Sequence, residues 1–309
     1  MTRAFSWVPD VGRGEWLRSM EAEPFSSLFS VVPRGFEMYA RVFHPVERDR
    51  PRATRSWHAI EASTCFDDAA DIWALLETER CTWSAAAASF GTTMHAEAQY
   101  ARLIRYVSGE EVGAVSEDGW RYGEPSEGAL DASTLTAASQ VLARHTATPH
   151  AGIAAIWEGW GGLVSSAGSK RYLAMRSLQM SLPRLAPRAP KSGTGVLAPD
   201  IAAGPRFDLH GDTGRSYVLF EAGAADFADP RWPARAPWTD DADWVPSPSI
   251  FWPEDHSWVL ATEIDYDSTL IAGTAALISD LVRTPGLEVL VIHPNADLTW
   301  DGDSVNRPA

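Results

Sequence analysis

Five of the chain's 14 tryptophans fall in one irregular stretch, DFADPRWPARAPWTDDADWVPSPSIFWPEDHSW, from Asp226 to Trp258. Each proline fixes φ and removes a backbone donor, so neither a long helix nor a central strand is expected to run through it. Trp232, Trp238, Trp244, Trp252 and Trp258 must then either plug a core or line a binding surface. The rest of the chain has to form a scaffold that receives them. It has the material, since 309 residues with 45% hydrophobic and 22% charged side chains suffice for a large core and argue against disorder along the whole length.

Charge narrows the partners. Residues 1–190 carry 19 basic and 22 acidic side chains, whereas residues 191–309 carry 7 and 19, so most of the net charge of −15 lies in the last third. Phosphate backbones are repelled by such a surface, which disfavours nucleic acid. Lys170 and Lys191 are the chain's lysines beside abundant arginine, a bias of a GC-rich genome rather than a binding design. Cys65 and Cys81 are too few for a disulfide framework and read as free thiols in a reducing compartment. The opening MTRAFSWVPDVGRGEW lacks an apolar signal core, and no run approaches the ~18 apolar residues of a membrane span. A cytoplasmic protein without a membrane partner is expected.

Periodicity suggests the elements. Phe36, Tyr39, Ala40 and Phe43 recur at helical spacing, with Pro45 as the stop. Residues 57–63 (WHAIEAS) read as a short strand. A helix is predicted over 66–80, with Ala69, Ile72, Trp73 and Leu76 as its stripe and Asp67 and Asp68 at its positive end. Another is predicted over 133–145, with Leu135, Ala138, Val141 and Leu142 inward and His145 at its C-terminus. IAAIW (153–157) reads as a buried strand, and residues 215–220 and 257–265 as two more. A helix over 268–282, capped by Asp267 or Ser268, and a strand over 287–292 complete a C-terminal βαβ-like unit. The class that follows is α+β: a mixed β-sheet with packed helices and long Trp/Pro-rich loops.

Several constellations could carry chemistry. Glu263, Asp265, Asp267, Ser268 and Thr269 sit where a strand is expected to hand over to a helix, and sites in open α/β sheets gather beyond strand carboxyl ends. Two carboxylates there could bind a metal or share a proton, although a cap at Asp267 and a turn at Asp265 explain the same residues structurally. In WEGWGG (157–162), Glu158 lies between Trp157 and Trp160. A carboxyl desolvated against indole suits a general acid, and indole faces stack on sugars. Arg41 and His44 could share a face and grip an anion. Trp244 and Trp252 are the anchors expected in the Trp-rich stretch. His95 with Glu97, His210 with Asp212, and Asp255 with His256 match no established ligand spacing, so no metal is assigned and any cofactor stays unknown. A GxSxG elbow, a P-loop and a GxGxxG turn are all absent from the sequence.

VVPRGFEMYARVFHP (31–45), TPHAGIAAIWEGWGG (148–162), RSYVLFEAG (215–223), PSPSIFWPEDHSWVLATEIDYDSTLIAG (246–273) and PGLEVLVIHP (285–294) together resemble a family of actinobacterial hypothetical proteins. In that family a VP-GF-aYaR-HP block precedes a WEG block and a WPeDraW-teiD block. The resemblance runs over most of the chain and implies one integrated domain, 1–309, with WSAAAASF and a Pro-rich excursion at 181–206 as departures. It brings no activity and no catalytic residue. VPRGFEMY is also similar to immunity and regulatory modules of the SMI1/KNR4 type. Two functions stand. One is a cytoplasmic binding module that presents Trp157, Trp160, Trp244 and Trp252 among acids to a basic protein partner or a small polar ligand. The other is a hydrolase acting on a sugar-like substrate, possible with metal assistance, with Glu158 as acid and Asp265 or Asp267 as base or metal ligand.

Overall fold

The computed structural model describes residues 5–24, 27–59, 74–106, 114–165, 193–211, 214–241 and 244–307. A large sheet runs in the order β1 (Trp7–Val8), β9 (Arg215–Glu221), β7 (Gly152–Trp157), β10 (Ile250–Pro253), β11 (Val259–Ala261), β12 (Ser268–Gly273), β2 (Met38–Phe43) and β13 (Val289–Ile292), with β8 (Phe207–Leu209) also on β9. A second sheet runs β4 (Leu76–Cys81), β3 (Val46–Pro51), β6 (Arg121–Tyr122) and β5 (Ala114–Val115). The helices are α1 (Trp83–Phe90), α2 (Tyr100–Leu103), α3 (Ala132–Leu142), α4 (Pro199–Ala202), α5 (Ala224–Phe227) and α6 (Ala275–Val282). The class is α+β, as read from the sequence.

All hydrogen-bonded strand pairs among the described residues are antiparallel, which corrects the mixed sheet expected. The C-terminal unit also differs in its bounds. Residues 268–273, read as the start of a helix, are β12, and the helix begins only after Thr274, whose hydroxyl accepts from Leu277 N–H. The expected strand 257–265 shortens to β11, a hairpin partner of β12. β12 and β13 lie on opposite sides of β2 and antiparallel to it, so they run parallel to each other. The unit is therefore a split βαβ, in which α6 crosses over β2.

Three further expectations change. Met38–Phe43 form strand β2, where a helical stripe from Phe36 to Phe43 was expected. Their apolar spacing fits a helix only because both faces of the strand are buried: Ala40 and Val42 enter one core and Tyr39 the other. Residues 76–81, the end of the helix predicted over 66–80, form β4. There Glu77 and Glu79 meet Arg50 and Arg48 across the strand pair, opposite charges of the kind that favour sheet pairing. Trp57–Ala59, expected to open a strand, is a single 3-10 turn. Ala69, Ile72, Trp73 and Cys65 lie outside the described residues, as do residues 181–192 of the Pro-rich excursion. The helix over 133–145 and the strands at 153–157, 215–220 and 287–292 form close to the expected bounds.

Two cores flank the large sheet. On one face, α3 and α6 pack with Trp232, Trp238 and Trp258 over Val42, Ile156, Phe251 and Ile271. On the other, Leu17, Met20 and Phe29 cover Tyr39, Ile153, Trp252 and Leu270. Four of the five clustered tryptophans thus fill cores, whereas Trp244 is 50% exposed. β10 lies within their stretch as a central strand, against expectation. It is kept to four residues, with Pro253 at its last position.

Candidate functional site: the carboxyl-rich end of the large sheet

The strand registers bring separate segments to one end of the large sheet. Phe43 faces Ser268, Ile250 faces both Ala261 and Ala155, and Trp157 faces Tyr217. The end of β2, the start of β12, the end of β11, the end of β7 and the start of β9 therefore meet. Arg41, His44, Trp157, Glu158, Asp265 and Asp267, singled out separately in the sequence, all lie here. Trp244 reaches this end through Trp160, to which it packs edge-on at 5.9 Å, and Trp160 packs edge-on against Trp157 at 5.7 Å. Trp252 does not reach it, being 1% exposed and packed against Trp16.

Arg41 organises the interior of the site. Its guanidinium donates to Ser268 Oγ (2.7 Å), Ala98 O (2.8 Å), Ala96 O (3.2 Å) and Asp267 Oδ1 (3.3 Å). Burial pushes the Arg41 pKa down, and Asp267 opposes the shift. Burial also pushes the Asp267 carboxyl up, against the pull of Arg41. Beside it, Glu127 is raised by burial and then by the charges of Asp267, Asp265 and Glu124. This end of the sheet thus holds carboxyl groups that resist ionising together.

Behind Arg41 runs a buried row of hydroxyls ending on His44. Nδ1 of His44 lies 2.5 Å from Ser126 O, which can only accept, so Nδ1 carries the proton. Burial lowers the His44 pKa to about 4 and keeps the ring neutral, which makes Nε2 an acceptor. Thr269 therefore donates to Nε2 across 2.9 Å, and Thr262 donates to Thr269 across 2.6 Å. Next in the row, Ser249 accepts at its carbonyl from Thr262 N–H, while its buried hydroxyl has no partner among the described residues.

The carboxylates nearer the surface are held by arginines. Glu158 accepts from Arg206 Nε at 2.8 Å. Arg215 donates to Glu263 and to Asp265, each at 2.9 Å, and lies over the Trp157 ring. The loop 123–130 (GEPSEGAL) closes the end of the sheet, where Gly128 N–H donates to Tyr266 O and Leu130 N–H to Ser247 Oγ. Gly128 has φ +74°, and a Cβ there would sit 2.7 Å from Ile264 O. Gly128→Ala is accordingly expected to destabilise the fold by about 1–2 kcal/mol. An unchanged denaturation midpoint would show that this loop does not press on residues 264–267.

Arg215, Arg206, Thr262, Ser249 and the loop 123–130 escaped the sequence reading. A Gly-Glu-Pro-Ser-Glu-Gly run just before the α3 cap Asp131 is the signal that could have flagged the loop. Four members of the three pairs weighed as metal ligands, His95, His210, Asp255 and His256, have other partners. His95 Nε2 bonds Asp303, His256 stacks on Trp16, and Asp255 accepts from Thr146 and Ala147. His210 bonds Ser30 O, and Asp212 lies outside the described residues. Among the described residues no group of three or more His, Cys, Asp or Glu could hold a metal ion, and no helix is long and apolar enough to cross a membrane.

No family model, curated protein or solved structure matches the chain. The function therefore has to be argued from this geometry.

Proposed function

We propose that the chain is a cytoplasmic binding module whose carboxyl-rich sheet end takes cationic groups, the side chains of a basic protein partner or a small polar amine. The observation that carries this reading is Trp244, a large indole 50% exposed and backed edge-on by Trp160. An indole face beside carboxylates attracts an ammonium or guanidinium by its quadrupole and by their charge. At the same end of the sheet Glu124, Glu127, Glu158, Glu263, Asp265 and Asp267 outnumber Arg41, Arg206 and Arg215. Partial neutralisation by these arginines orients the acids and leaves an excess for a ligand.

A second reading, carboxyl acid/base hydrolysis of a sugar-like substrate, is supported by Asp267, whose part-buried carboxyl holds its proton more readily than usual. It is weakened at Glu158, whose Oε2 is already engaged by Arg206.

Calorimetric titration with oligo-arginine, oligo-lysine and oligo-glutamate peptides tests the proposal. Binding of the cationic peptides alone is expected. Trp244→Ala should weaken it roughly tenfold or more, as for an aromatic anchor, with the thermal midpoint unchanged because the side chain is exposed. Equal affinity in wild type and variant, or no binding of either cation, would dismiss it.

A further inference from the structure

Leu298 to Asn306 lie as a strap across the segment that holds Arg41. Leu298 O accepts from Gln99 Nε2 (3.0 Å). The Asn306 side chain accepts from Thr93 N–H (2.9 Å) and donates to Thr93 O (3.0 Å). Between these ties the Asp303 side chain is 0% exposed. Its carboxylate accepts from His95 Nε2 (2.9 Å), Gln99 N–H (3.0 Å), Asn306 N–H (2.9 Å) and Asn306 Nδ2 (3.1 Å). His95 Nδ1 accepts from Glu97 N–H, so the ring proton sits on Nε2 and points at Asp303. These donors offset the cost of burying the charge. The turn His95–Ala98, closed by Ala98 N–H on His95 O (3.1 Å), is thus fixed at both ends. From the other side its carbonyls Ala96 O and Ala98 O receive the Arg41 guanidinium.

Bond lengths at Arg41 give this clamp its effect. Ala98 O lies at 2.8 Å and Ala96 O at 3.2 Å. Asp267 lies at 3.3 Å, beyond the ~2.7–2.9 Å usual for a charge-assisted bond. The turn carbonyls compete with Asp267 for the guanidinium and take the shorter bonds. The Asp267 side chain, 23% exposed, is left incompletely neutralised. We propose that Asp303 is a positioning residue for the cation site: by fixing the turn it holds Arg41 on the carbonyls and reserves Asp267 for an incoming ammonium or guanidinium. This role rests on the cation-binding reading above, and it makes the strap the element that tunes that site. Without the Asp303 carboxylate the turn loosens and the guanidinium settles on Asp267, cancelling the charge a ligand needs. The Asp303 charge also acts on Arg41 directly, favouring its ionised form.

NMR titration of the Asp267 carboxyl in the ligand-free full chain tests this, with wild type, Asp303→Asn and Asn306→Ala. Asn306→Ala keeps every charge and removes the tie to Thr93 and one donor to Asp303. Arg41, Tyr100 and Glu127, which share the surroundings of Asp267, are the same in all three proteins. The Asp267 midpoint is expected to fall by at least about half a pH unit in each variant, a roughly threefold shift. Loss of stability alone would not move it. Calorimetric affinity for oligo-arginine should fall at least about threefold in parallel. An Asp267 midpoint in Asn306→Ala that matches wild type overturns the proposal, even where oligo-arginine binds all three proteins and the cation reading stands. A lowered midpoint without peptide binding to wild type supports the hold of the strap on Arg41 and dismisses only the cation reading. Should Asp303→Asn fail to fold, Asn306→Ala decides alone.

Discussion

Replacing Arg41 with methionine is expected to lower stability by about 3–5 kcal/mol, the range for removing one partner of a buried ion pair. The methionine fills the volume of the arginine stem but donates no hydrogen bond. Ala96 O, Ala98 O and Ser268 Oγ lose their donor, and Asp267 loses its counter-charge. Each buried group left unsatisfied keeps its desolvation penalty. In Arg41→Met/Asp267→Asn the carboxylate that needs the guanidinium is also gone, so part of the loss should return. Urea denaturation of wild type, both single variants and the double variant measures the coupling. Strictly additive losses would mean that Arg41 and Asp267 act independently.

Acidification should destabilise the fold through His44 before the lowered carboxylates Asp131 and Asp303 contribute, while the raised Asp267 and Glu127 act in the opposite sense. The ordinary imidazole value of 6.5 falls to about 4 in the folded chain, chiefly through burial, with a lesser contribution from Arg41. Between those values the unfolded chain takes up a proton that the folded chain refuses, so stability falls as pH falls. The full loss is about 3 kcal/mol and is complete near the folded value. Above 6.5 the ring is neutral in both states and His44 adds no pH dependence. Asp131 and Asp303 follow in a lower window. Both are held at about 2, Asp131 by Arg80 and hydroxyl donors and Asp303 by backbone N–H donors, each against its burial. Their stabilisation is present above the ordinary value of 3.8 and is lost as pH falls towards 2. His44→Asn should flatten the stability profile in the upper window and leave the lower one in place. Parallel profiles for variant and wild type would remove His44 as the cause.

Legibility from sequence followed burial. The helix α3 and the strands β7 and β9 were readable because an amphipathic stripe or a compact apolar run marks them. β2 and β12 were not, because strands buried on both faces lose the alternation that identifies a strand, and the chance spacing of Tyr39, Ala40 and Phe43 then mimics a helix. Arg41 sits inside such a strand, where a charged residue reads as solvent-facing until the register shows Asp267 beside it. The site suffered the same limit. Arg41, His44, Glu158, Asp265 and Asp267 were each visible as chemistry, but sequence spacing carries no strand order and could not place them together. The hydroxyls of Thr262 and Thr269 were equally opaque, because their partners are one another and a histidine far away in the chain.

The split crossover has a consequence for how the chain is made. β2 emerges early from the ribosome, yet Arg41 and its partner Ser268 are 227 residues apart, and both strands that flank β2 come from the C-terminal segment. At ~5–20 residues per second the wait is roughly 10–50 s. For that time MYARVF stands without neighbours, an apolar strand carrying an unpaired guanidinium. Its burial is one of the last events of synthesis, and until then it is an apolar segment open to a chaperone's hold.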